Sequence, residues 1–315
     1  MVFMPRSGCF VFPGQGSQSI GMLKTFDKNE IEFLEQSFKR LFDFDLLSII
    51  QNGPSESLNT TSITQPALLA TSYIYFQQLK NKLAKYLDIN YFSGHSLGEF
   101  SSLVCANSIT LDDALSLVHK RGQYMEECDV GSMSAVIGAD SKELDNLCNE
   151  ISLKTGLVVE SANINSNSQI VVAGHKEAVQ EVCSKLKEMK IRSIILKVSV
   201  PSHTKLMVPA QKKLQKEFDS VNLGMPDTKI IQYNHDAEEV KASTDIQKIV
   251  QNIINQMTLP VNWLAVCDYI KLKNTFTIEC GPNKVLTKLC QSNDIQNVFD
   301  SSLESLNNLI QSSYE

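Results

Sequence analysis

The sequence predicts an α/β fold, a mostly parallel sheet flanked by helices with a small mixed unit inserted into it. Three observations predict this. Apolar runs of strand length alternate with helical stretches of roughly 10 to 20 residues toward both ends of the chain, which requires a sheet covered on both faces. A Gly-x-Ser-x-Gly pentapeptide, Gly94-His95-Ser96-Leu97-Gly98, joins an apolar run to a helical one. Between residues 131 and 199 the order of elements changes to βαββαβ, a unit that can close on itself.

Residues 8–12 read as a buried strand running into the loop Pro13-Gly14-Gln15-Gly16-Ser17-Gln18. That loop lacks the lysine and spacing of a phosphate loop, and its glycines leave the backbone accessible. Helical patterns cover 29–51 and 65–83, the second with Thr64 as its cap and Pro66 near its first turn. Residues 89–93 form a short strand, 99–107 a helix, and 111–126 another helix that opens with Asp112 and Asp113. In the insertion, strands at 132–138, 157–161, 169–173 and 191–198 frame helices at 142–152 and 176–189, with an Asn/Ser-rich turn between the second and third strands. This is the ferredoxin-like order. Then come a helix at 205–218, a strand at 229–233, helices at 244–257 and 261–269, and a strand at 275–279. Gly281-Pro282-Asn283-Lys284 opens a further helix, and the last covers 303–310. The expected organisation is a large α/β domain built from 1–130 and 200–315, with a small subdomain at 131–199.

Composition narrows the function. With 315 residues and 43% hydrophobic content, the chain can bury a sizeable core. No apolar run approaches the roughly 20 residues that span a bilayer. Residues 1–8 are too short and broken for a signal peptide, so a cytoplasmic location is expected. Twenty-nine basic against 35 acidic residues, a net charge of −6, argue against a nucleic-acid surface or a polybasic membrane patch. The eight cysteines show no C-x-x-C pair or His-rich spacing, so neither a metal site nor a disulfide framework is expected.

The chemistry centres on Ser96. Small residues two positions to either side let strand and helix approach closely through a strained turn that exposes the serine. Its oxygen would lie at a helix N-terminus, where backbone N–H groups favour developing negative charge. The plain alternative is a strand-turn-helix junction with Ser96 as an N-cap. A nucleophile also needs a base, and there are five histidines. His95 adjoins Ser96 and projects to the other side of the turn, where it can line the site. His119 falls inside a helix, His175 starts one, and His235 lies in a polar loop. His203 follows an apolar strand stopped by Pro201, at the end of the sheet where open α/β folds bind ligands. No Asp between Ser96 and His203 sits at a strand end, which weakens a lipase or esterase triad. A dyad oriented by a backbone carbonyl suffices chemically.

Several motifs occur in one order: Phe12-Pro13-Gly14-Gln15-Gly16-Ser17-Gln18, Thr64-Gln65-Pro66-Ala67, Gly94-His95-Ser96-Leu97-Gly98-Glu99, Arg121-Gly122, Gly131-Ser132-Met133, Val198-Ser199-Val200-Pro201-Ser202-His203, Gln256 with Pro260-Val261-Asn262-Trp263, and Glu279-Cys280-Gly281-Pro282. The set resembles the malonyl-CoA:acyl carrier protein transacylases, from about residue 9 to residue 290. The resemblance implies a hydrolase-like sheet and transfer of a malonyl group from malonyl-CoA to the phosphopantetheine thiol of acyl carrier protein, supplying fatty acid synthesis. Ser96 is then the nucleophile and His203 the base, oriented by the carbonyl of Gln256. The N–H groups of Gln15 and Leu97 form the oxyanion hole, Arg121 holds the malonyl carboxylate, and Gln65, Met133, Asn163 and His95 line the pocket. It also implies a monomer that takes a coenzyme A thioester and no bound cofactor. The alternatives are a serine thioesterase or hydrolase using the same nucleophile, a discrete acyltransferase of a polyketide pathway, and a degenerate, non-enzymatic subunit.

Overall fold

The computed structural model describes residues 5–313. Residues 1–4, part of the stretch judged too short for a signal peptide, lie outside the described residues. The strands are β1 (Arg6–Phe12), β2 (Leu87–Gly94), β3 (Gly131–Ile137), β4 (Val159–Ser166), β5 (Gln169–His175), β6 (Arg192–Ile195), β7 (Lys229–Asn234), β8 (Glu239–Ser243), β9 (Val261–Asn262), β10 (Phe276–Glu279) and β11 (Val298–Phe299). Two sheets result, ordered β11-β10-β1-β2-β7-β8 and β6-β3-β5-β4-β9.

The six-stranded sheet is parallel except for the β7–β8 hairpin. Its central strand shows why the apolar run there is unbroken. Phe10 and Phe12 face one side, in edge-to-face contact with Phe76 and Phe92, while Cys9 and Val11 pack on the other with Ile231, Trp263 and Cys267. A strand buried on both faces has no polar positions to alternate. In the five-stranded sheet, β3, β4, β5 and β6 are antiparallel in the ferredoxin-like spatial order. The helices Ser141–Thr155 and Lys176–Glu188 cover it through Leu144, Ile151, Val179, Val182 and Leu186. Strand β9 adds to this sheet, parallel to β4, from the far side of the insertion.

The structure departs from the sequence reading at several places. The expected helix 29–51 is two helices, Lys28–Leu41 and Leu46–Asn52, because Asp45 caps the second through Ser48 N. The helix expected from 65 begins at Thr61, with Thr60 rather than Thr64 at its cap, and carries Pro66 inside it. Proline has no N–H to give the carbonyl four residues back. That carbonyl, Ser62 O, is taken instead by Nδ1 of His119 at 2.8 Å. Residues 162–166, read as a turn, belong to β4, while β6 is shorter than expected. The short strands β8, β9 and β11 were not anticipated; sequences of two to five residues carry too little periodicity to read.

Candidate active site

The turn between β2 and the helix Gly98–Cys105 is built by exclusion. A Cβ at Gly94 would lie 1.9 Å from the Gly98 carbonyl carbon, and one at Gly98 would lie 1.9 Å from Phe12 O. Only glycine permits so close a crossing of strand, turn and loop. Ser96, between them, has φ 53°, the left-handed region that costs a residue with a side chain. The strain is retained because packing fixes the backbone on both sides.

His203 meets Ser96 from the segment after the insertion, and its φ of 63° is also left-handed. Its Nδ1 is 2.5 Å from the carbonyl of Gln256. A carbonyl only accepts, so Nδ1 carries the proton and Nε2 the lone pair. That Nε2 lies 2.8 Å from Ser96 Oγ and accepts its hydroxyl proton. Burial holds the His203 imidazole far below its ordinary range, at about 3, against the opposing pull of the Gln256 carbonyl. At neutral pH the ring is therefore a free base. Gln256 follows the last residue of the helix Ile246–Asn255, so its carbonyl belongs to the negative end of a helix.

Both atoms open into a cavity of about 370 Å³ whose lining includes Gln15, Gln65, His95, Leu97, Arg121, Met133 and Asn163. Every expected substrate-side residue thus reaches one space. Among the described residues, the main-chain N–H groups of Gln15 and Leu97 have no hydrogen-bond partner. Arg121, only 2% exposed, gives Nη1 to Gln65 Oε1 at 2.7 Å. Its Nε and Nη2 are buried without a partner. These two donors form the side-on edge of the guanidinium, which matches a carboxylate by two parallel bonds. Burial lowers the Arg121 pKa to about 10, so the group stays cationic at neutral pH. His95 donates Nε2–H to Asn165 Oδ1 at 2.9 Å and lies edge-on to Trp263, at the wall rather than at the nucleophile.

Other residues take plain structural places. His119 is packed, as a helix-borne histidine usually is, and Cys105 is core, its thiol pushed well up by burial. His235 lines a separate small cavity, with Glu99 and Gln256. Asn234 is spent on its own turn, accepting from Asp236 N and Ala237 N. Sequence reasoning passed over Glu99, whose Oε2 receives Nε2 of both Gln232 and Gln256. The cavity also takes in Asn59, Met125 and Lys197, which no motif had singled out, and Gln18 and Ser202, which stood in motifs without a role of their own. Among the described residues no cluster fit for a metal occurs, and no helix is long and apolar enough to cross a membrane.

The sequence profile of the acyl transferase domain family matches residues 9–275. A malonyl CoA-acyl carrier protein transacylase of Salmonella typhimurium is 39% identical over 291 residues, covering 89% of this chain and 90% of that protein. The chain belongs to the malonyl CoA-acyl carrier protein transacylases. The solved transacylase of Coxiella burnetii superposes with a TM-score of 0.89 at 32% identity, covering 100% of both chains. A malonyl-transacylase solved with a type II polyketide acyl-carrier protein superposes at 0.86 with 33% identity, over 97% of this chain and 99% of that one. As a transacylase the chain is an enzyme of the acyltransferase class, with the mixed α/β fold of that family.

Proposed function

We propose that the chain transfers malonyl from malonyl-CoA to the phosphopantetheine thiol of acyl carrier protein through a malonyl-Ser96 intermediate. Ser96 Oγ attacks the thioester carbonyl while His203 Nε2 takes its proton, and the Gln256 carbonyl steadies the imidazolium that forms. The tetrahedral oxyanion takes the free N–H groups of Gln15 and Leu97. Collapse breaks the carbon–sulfur bond, and His203 returns the proton to the departing coenzyme A sulfur. In the second half, the carrier thiol gives its proton to His203 and attacks the serine ester. The carbon–oxygen bond breaks, and the proton passes back to Ser96 Oγ. Splitting the transfer gives ping-pong kinetics.

One observation carries the substrate. The Nε and Nη2 donors of Arg121 are buried and unpartnered in a guanidinium that lines the same cavity as Ser96. A buried cation without an internal counter-charge on that edge calls for an anionic acyl group. A thioesterase of neutral acyl chains would have no use for it. The test is the intact mass after brief exposure to malonyl-CoA: a malonyl increment on the native chain and none on Ser96→Ala is expected. An increment retained in Ser96→Ala would sink the assignment.

A second reading, service to a polyketide pathway, is favoured by the similarity to the malonyl-transacylase solved with a polyketide carrier. Turnover with each class of carrier separates the two. We further take the molecule as a monomer with residues 131–199 inserted as a subdomain between 1–130 and 200–315. Eight free cysteines fit a cytoplasmic setting.

A further inference from the structure

We propose that Glu99 is a positioning residue for the transfer, acting on His203 through Gln256; this rests on the reading of Ser96 and His203 given above. Glu99 lies in the first turn of the helix that begins just after the nucleophile. Its Oε2 accepts from Gln256 Nε2 at 2.6 Å and from Gln232 Nε2 at 2.9 Å. Gln232 is fixed in turn. It also donates to Ile249 O at 3.4 Å, and its Oε1 accepts from Asn252 Nδ2 at 3.4 Å. The carboxyl group is thus anchored between β7 and the helix Ile246–Asn255.

Gln256 makes the connection to chemistry. Its main-chain carbonyl receives His203 Nδ1–H, and its side-chain amide donates to Glu99 and, at 3.4 Å, to the carbonyl of Ser96. One residue therefore touches the base, the backbone of the nucleophile and the Glu99 carboxyl. The last carbonyls of a helix have no partner within it, and helix ends fray. The Gln256 N–H, given to Asn252 O and Ile254 O, holds the residue at the helix end from one side. The pinned side chain holds it from the other, so the angle of the imidazole is registered against the same helix that presents Ser96. Both donors converge on a single oxygen, so an amide oxygen at the same place would serve equally.

Steady-state malonyl transfer by the full chain tests this. Glu99→Ala and Gln256→Ala are each expected to lower kcat by about a hundredfold, the scale of a small misplacement of catalytic groups, with KM for malonyl-CoA unchanged. Glu99→Gln is expected to restore most of that loss. The Glu99→Ala/Gln256→Ala double variant is expected to lose no more than either single one, because both act through one contact. Wild-type kcat in Glu99→Ala, additive losses, or a Glu99→Gln enzyme as impaired as Glu99→Ala would overturn the inference. Should Glu99→Ala fail to fold, Gln256→Ala decides: wild-type kcat there overturns it equally. The acyl-serine reading has its own control. Transfer surviving in Ser96→Ala removes that reading, whereas a dead Ser96→Ala beside a fully active Glu99→Ala removes only the role of Glu99.

Discussion

Arg121 carries most of the discrimination at the residue scale. Truncating one partner of a buried, charge-assisted pair costs about 2–5 kcal/mol, which corresponds to a loss of roughly thirtyfold to a few thousandfold. Arg121→Ala should therefore lower kcat/KM for malonyl-CoA by that amount while moving acetyl-CoA far less. Competition between the two thioesters reads the ratio directly, and an unchanged ratio would remove Arg121 from the carboxylate site. His203 makes a second prediction. Its imidazole titrates at about 3 in the folded chain and near 6.5 when unfolded. Between those values the unfolded state holds more protons, so stability falls as pH falls through this window. The base itself stays competent there. The acid limb of kcat/KM for acyl-enzyme formation should lie well below pH 6.5, and a limb at about 6.5 would contradict the buried, neutral imidazole. The reacting residues were legible because motifs mark them locally. Glu99 was not, since its amide partners lie 133 and 157 positions away and an acidic first-turn residue looks like ordinary helix capping.

The long helix Thr61–Leu83 shows how an element can break a local rule and be repaired from outside. Pro66 leaves Ser62 O without its helical donor, and His119 Nδ1 fills the gap at 2.8 Å. The N–H of Ser62 is likewise capped at a distance, by Glu126 Oε1 at 2.8 Å. The sequence reading starts the helix at residue 65, with Pro66 in its first turn, because it sees the proline and not the histidine that lies 57 residues beyond Ser62. His119→Ala should leave a buried carbonyl unpaired, at about 1–3 kcal/mol. A lower melting temperature is expected, with acylation of Ser96 still occurring at the permissive temperature. An unchanged melting temperature would show that water or a backbone shift satisfies Ser62. The elbow is stricter. A methyl group at Gly98 would meet Phe12 O at 1.9 Å, backbone against backbone, so Gly98→Ala should cost both stability and acylation. This crossing was readable in advance, because Gly-x-Ser-x-Gly implies the same close approach that the structure contains.

The cavity exists only where the two sheets meet, and that governs the behaviour of the whole molecule. Met133 and Asn163 come from the five-stranded sheet, whereas Ser96 and Arg121 come from the six-stranded side. The five-stranded sheet has its own core around Val136, Leu144, Val172 and Val179, which by itself would favour independent unfolding. Two links oppose that. Strand β9, from the C-terminal part of the chain, pairs with β4 at Asn163 and Ile164. Asn293 Nδ2 donates to Asn165 O at 2.8 Å, in a buried position. Neither of these links was visible in the sequence, since a two-residue strand and a single long-range amide leave no periodic trace. Unfolding residues 131–199 alone would strip β9 of β4 and leave buried polar groups of the remaining part exposed, so partial unfolding carries an added cost at the contact between the two sheets. Thermal unfolding should therefore be a single cooperative transition, with calorimetric and van't Hoff enthalpies in agreement. Substituting Asn293→Ala, which cuts one link, should lower that transition without dividing it. Two resolved transitions in the unmodified chain would mean that residues 131–199 unfold independently, and that the site between the sheets is assembled by docking of two separately stable parts.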